Sequence, residues 1–182
     1  MTPRCSGRDV DLAKHLLKKA GQENLKVELM TSDIAAGVLQ AAQVFAQQAK
    51  DAGVAVHVRQ VTADIFFGEQ YLKWPFAQDI WYYAPYLGQV FQSSLPGSPF
   101  NETHWNDEAY TRLYGQAQAT VDAGKRCEIL REMQKIDFER GGYIIPAFNQ
   151  NVDLMAQNVR GFVPAATGIS LGNFAFQAAW LA

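Results

Sequence analysis

The stretch 25–61, "LKVELMTSDIAAGVLQAAQVFAQQAKDAGVAVHVRQV", decides how the rest of the chain is read. It opens with Leu25, Val27 and Leu29 alternating with Lys26 and Glu28, the period of a strand with one face turned inward. Ser32 or Asp33 then stands where a helix cap belongs. Ile34, Val38, Ala41, Phe45 and Ala49 trace one apolar stripe until Gly53 ends it. A second strand-like run, "VAVHVRQV", follows at once. Strand, helix and strand with short joints make a right-handed parallel crossover, so the expected class is α/β, a mainly parallel sheet flanked by helices.

The pattern extends in both directions. Upstream, "DVDLAKHLLKKAG" sets Leu12, Leu16 and Ala20 at helical spacing, with Asp9 or Asp11 as cap and Gly21 as the left-handed stop. Downstream, "TADIFFGEQYLK" predicts a shorter helix capped by Thr62, and "AQDIWYY" predicts a third strand. A Ser-, Pro- and Gly-rich loop follows over 93–106. Then "DEAYTRLYGQAQATV" and "GKRCEILREMQKIDFER" predict an αα-hairpin whose second helix carries Ile129, Met133 and Ile136 on one face. "GGYIIPAFNQNVDLMAQ" predicts a late β-hairpin around Asn149-Gln150-Asn151, with Pro146 marking an edge or a bulge. The final stretch holds Phe162, Val163, Phe174, Phe176, Trp180 and Leu181 without a clean period, apolar side chains that need a surface to cover them.

Composition narrows the function classes. At 182 residues, 48% apolar and 19% charged, the chain buries a core and is expected to form one compact unit. A net charge of −2 without any continuous stripe of Lys and Arg argues against nucleic acid as a partner. No apolar run approaches the roughly 18 residues of a transmembrane helix, and the opening residues lack the apolar core of a signal peptide. Cys5 and Cys127 are far apart and read as free thiols, or as a disulfide in an oxidising compartment.

Catalytic and metal patterns are weak. "GISLG" (168–172) matches the G-x-S-x-G elbow, but no Asp, Glu or His follows Ser170 to complete a triad. His15, His57 and His104 fall on a predicted helix, strand and loop with no second ligand at metal spacing. Neither a dinucleotide fingerprint nor a P-loop is present, so no cofactor is expected. "NET" at Asn101 fits a glycosylation sequon too short to carry weight. Asp107, Glu108, Asp137 and Glu139 read as caps and solvated helix faces.

One cluster stands apart. "QDIWYYAPY" (78–86) places one Trp and three Tyr in nine residues, where a buried strand would end. Such rings fill a core or line a cleft; ligands of open α/β sheets bind beyond the carboxyl ends of the strands, where this cluster should lie.

Several segments, read in order, resemble the substrate-binding proteins of peptide-type ABC transporters, the dipeptide, oligopeptide and nickel class (extracytoplasmic solute-binding proteins, family 5). "DLAKHLLKKAG" is similar to the family helix through Ala13, Leu16, Leu17, Ala20 and Gly21. "LKVELMTS", a long helix and "AGVAVHVRQV" resemble its strand–helix–strand. "SPFNETHWNDEAYTRLYGQAQATVDAGKRCEILREMQKI" is the most specific match, and "YIIPAFNQNVDLMAQNVRGF" resembles the segment that ensues.

The resemblance implies a type II periplasmic-binding-protein-like lobe without enzymatic activity, spanning 1–160, with a tail at 161–182 that would return to an N-terminal lobe absent from this chain. It implies a peptide or related small solute bound in the cleft between lobes, delivery to ABC permease subunits in the membrane, and a periplasmic or extracytoplasmic location. Trp81 falls on the Trp of the family's W-x-x-D segment, whose Asp position, which takes the ligand's free amine in peptide binders, is Ala84 here. The candidate ligand-binding residues are Trp81, Tyr82, Tyr83, Tyr86, Asn101, Trp105, Asn149 and Asn151, with Trp105 equally readable as core. The competing expectation is a free-standing protein-interaction module that uses the aromatic surface and the apolar tail.

Overall fold

The computed structural model describes residues 9–148, 152–165 and 169–182. Contacts gather the chain into two compact units, Met1–Ile80 and Trp81–Ala182, where length alone suggests one.

In the first unit, α1 (Val10–Lys19) begins where Asp9 accepts the Leu12 N–H at 2.8 Å and ends at Gly21 in the left-handed region, both as the sequence predicts. Strands β1 (Lys26–Ser32) and β2 (Ala55–Val61) pair in parallel, Lys26 opposite Ala55 through Ser32 opposite Val61. The crossover helix α2 (Val38–Ala49) starts four residues later than expected. Ser32 is the buried last residue of β1, and Gly37, at φ 86°, turns the chain into the helix. That shift sets the phase: Val38, Ala42 and Ala46 are buried, while Ala41 and Phe45, on the predicted stripe, are exposed.

Helix α3 (Ala63–Phe66) is a single turn, and the Trp74 indole N–H donates to the Phe66 carbonyl at 3.1 Å. The predicted third strand shrinks to one bridge, Met30 with Ala77. Met30 N–H donates to Phe76 O at 3.0 Å, and Gln78 N–H to Met30 O at 2.9 Å. Beyond it the Asp79 carboxylate takes the Ile80 N–H at 2.7 Å, so that amide is withdrawn from any ladder.

In the second unit, α4 (Tyr86–Ser93) forms where the sequence offered no helical signal. Helices α5 (Glu108–Ala119) and α6 (Ala123–Arg140) are the predicted αα-hairpin, capped by Asp107 and Asp122. Its core is Val90, Tyr110, Tyr114, Ala117, Met133 and Ile136. The late β-hairpin is not found in the described residues: 143–148 and 152–156 form no strand, and Ile144, Phe148 and Leu154 are exposed. Pro146 offers no ladder donor there. Instead β3 (Val159–Arg160) pairs antiparallel with β4 (Trp180–Leu181), so the tail ends in a two-residue ribbon with Phe174, Phe176, Trp180 and Leu181 exposed. Among the described residues no helix is long and apolar enough to cross a membrane.

Candidate functional site

The aromatic cluster lies at the start of the second unit, in the irregular segment 81–85 that leads into α4. Trp81 is 37% exposed and meets Phe100 edge-to-face, with ring centroids 5.9 Å apart. Tyr82 and Tyr83 are 63% and 64% exposed. These three rings offer apolar area to solvent from one short segment.

Tyr86, Asn101 and Trp105 are engaged inside the unit. The Tyr86 hydroxyl donates to Asp137 Oδ2 at 2.5 Å. Tyr110, 1% exposed, donates to the same oxygen at 2.9 Å, which leaves the two hydroxyl oxygens 3.1 Å apart. Asn101 is 8% exposed; its amide donates to the carbonyls of Leu95 at 3.1 Å and Trp105 at 3.0 Å and accepts from Thr103 at 3.2 Å. It closes the loop between α4 and α5. Trp105 is part of the core packing, its ring 4.7 Å from Tyr110. Asn149 and Asn151 lie outside the described residues.

Asp137 is half-buried, where the sequence predicts a cap or a solvated helix face. It sits four residues beyond Met133 and beside Ile136, on the edge of the stripe that packs inward. That spacing was the available signal. Burial raises its carboxyl above the usual carboxylate range, and the hydrogen bonds from Tyr86 and Tyr110 oppose the rise. Burial likewise raises the Tyr86 and Tyr110 hydroxyls, so both stay protonated donors. Asp107 is the cap expected of it, accepting from Tyr110 N–H at 2.8 Å and from Arg140 Nε at 2.6 Å. The Arg140 bond, more than any other influence, holds its carboxyl below the usual range.

The arrangement holds rings and hydrogen bonds, and no group of three or more His, Cys, Asp or Glu able to hold a metal occurs among the described residues. What it can do chemically is present aromatic faces to a solute from a short segment that leads into a helix start hydrogen-bonded through Tyr86.

No protein-family model and no curated protein matches the sequence. Solved structures do match the fold. NikA from Staphylococcus aureus, in complex with Ni(L-His)2, is 25% identical with a TM-score of 0.56, covering 71% of this chain and 29% of that one. The ABC transporter-associated periplasmic binding protein DppA from Helicobacter pylori, in complex with the peptide STSA, is 18% identical with a TM-score of 0.68, covering 95% of this chain and 34% of that one. The oligopeptide-binding protein AppA from Bacillus subtilis, in complex with a nonapeptide, is 16% identical with a TM-score of 0.67, covering 93% and 36%. The chain spans about a third of the length of these proteins. They bear out the resemblance carried by the sequence: the chain has the type II periplasmic-binding-protein-like α/β fold of the peptide- and nickel-class substrate-binding proteins of ABC transporters.

Proposed function

We propose that this chain is one lobe of the substrate-binding component of an ABC importer, and that it holds a peptide or related small solute against the rings of Trp81, Tyr82 and Tyr83. The observation that carries this is the exposure of three adjacent aromatic side chains in one irregular segment, on a fold whose solved neighbours were crystallised with peptides and with Ni(L-His)2. Ring contact suits an organic solute better than a bare ion. With Ala84 where the resemblance implies an Asp, a free amino terminus is not neutralised at that position.

A companion lobe completes the cleft in this reading and covers the exposed rings of the tail, 161–182. The lobe at 1–160 works extracytoplasmically and passes its solute to a membrane permease. One wall alone must offset the whole entropy of association, so binding is measured on the polypeptide as the cell produces it. Titrated by calorimetry with the peptide Ser-Thr-Ser-Ala, the Trp81→Ala variant should lose about 2 kcal/mol of binding free energy, as a central aromatic contact does. Unchanged affinity would remove Trp81 from the site. Failure of the native polypeptide to bind either this peptide or Ni(L-His)2 would sink the solute-binding reading and favour a protein-interaction module.

A further inference from the structure

The segment 81–85 has no regular secondary structure, yet on the reading above it must present three rings in a fixed place. A stretch without ladder bonds keeps one conformation only where its ends are held. At its amino end the Trp81 ring rests edge-on against Phe100, 5.9 Å between centroids. At its carboxyl end the helix that follows is not tied by a cap: Pro85 occupies the N-cap of α4 and makes no side-chain cap hydrogen bond. The tie is one residue further on. Tyr86, the first residue of α4, reaches 2.5 Å from Asp137 Oδ2 on α6. Asp137 is fixed in turn by Tyr110, which is 1% exposed in the core and donates to the same oxygen at 2.9 Å.

We propose that Asp137 is a positioning residue for the aromatic segment: by accepting the Tyr86 hydroxyl it ties the start of α4 to the α5–α6 core and so fixes where Trp81, Tyr82 and Tyr83 present their rings. The inference rests on the reading of those rings as the solute-facing wall. The contact order runs from core to Tyr110, to Asp137, to Tyr86, and from there to the rings. Tyr86 thereby serves binding without touching the solute. A wall fixed in advance pays less ordering entropy when the solute arrives, which is how a residue away from the ligand changes affinity.

The test incorporates 5-fluorotryptophan, which gives each of the four tryptophans its own fluorine resonance, with Trp81 assigned from Trp81→Phe. Tyr86→Phe keeps the ring and removes the hydroxyl. The expected result is a shift of the Trp81 resonance toward that of the free amino acid, with Trp74 and Trp180 unmoved, and weaker binding of Ser-Thr-Ser-Ala. Asp137→Leu, which removes the acceptor, should shift Trp81 the same way. Asp137→Asn keeps an acceptor oxygen and should return the resonance to its native position. An unmoved Trp81 resonance in Tyr86→Phe would overturn the proposal, as would equal movement of all the resonances, which marks general loss of structure. Should Trp81 move as expected while the native polypeptide binds no peptide, the tie stands and the solute reading is what fails.

Discussion

Asp137→Asn and Asp137→Leu, compared in one unfolding series, separate the charge of this carboxylate from its capacity to accept hydrogen bonds. Asparagine keeps an oxygen for both tyrosine hydroxyls and carries no charge; leucine keeps no acceptor. Tyr110 is 1% exposed, so water does not replace the lost partner, whereas Tyr86 is half-buried. The hydroxyls are 3.1 Å apart, so Tyr86 can donate to Tyr110, and the buried Tyr110 proton has then lost its Asp137 acceptor. An unpaired buried hydroxyl costs about 1–3 kcal/mol, so Asp137→Leu should lower stability by about 2 kcal/mol and Asp137→Asn by less than about 1 kcal/mol.

The pH dependence follows from the same geometry. Burial holds the Asp137 carboxyl above the usual range in the folded chain, against about 3.9 for an unfolded aspartate. The folded state binds this proton the more tightly. Its contribution to stability is therefore fully present below the unfolded value and is lost as pH rises through the raised folded value. Asparagine has no such slope, so the margin of the native chain over Asp137→Asn should be wider in mild acid than at neutrality. Urea unfolding followed by circular dichroism at both pH values measures it. A margin that widens with rising pH would refute burial as the dominant influence on the carboxyl, and equal losses for Asn and Leu would refute the acceptor role.

Asn101→Ala removes the two donations that close the loop before α5 and should cost about 2 kcal/mol in thermal or urea unfolding, with no rescue from solvent at this buried site. Gly142→Ala sets a methyl group 2.5 Å from Thr103 Cβ and should destabilise by about 1–3 kcal/mol in the same assay. Asp107→Asn keeps the α5 cap but loses the charge facing Arg140. The Asp107 carboxyl is depressed in the folded chain, so its contribution is present above the unfolded value and lost as pH falls through the folded one. Melting curves of native and Asp107→Asn chains should converge in acid, the reverse of the Asp137 behaviour.

Local rules were legible where one signal acted alone. Asp9 and Gly21 bound α1, Asp107 starts α5, and Met133 and Ile136 face the core as their spacing predicts. The parallel pairing of β1 with β2 followed from two strand-like runs around a helical stripe. Elsewhere two signals compete for the same residues. Ser32 has the chemistry of a cap, yet its neighbours keep it in the strand, and Gly37 opens α2 in its place. "AQDIWYY" has strand composition, but the Asp79 side chain captures a backbone amide and the ladder ends at Ala77. Helix α4 escaped because "YLGQVFQS" is short and contains a glycine.

The candidate site divides along the same line. Exposure of Trp81, Tyr82 and Tyr83 agrees with a cluster too polar at its tips for a wholly buried strand. Which rings face solvent and which face inward is a matter of partners, and partners lie far apart in sequence. Tyr86 is three residues from Tyr83 but is paired with Asp137, and Asn101 is held by carbonyls on both sides of it. A carboxylate at helical spacing from core residues is the one sequence signal that marks such a partner, because a half-buried Asp must find donors or remain costly. Tyr86 and Tyr110 supply them, and in doing so they join the chemistry of the core to the placement of the exposed rings.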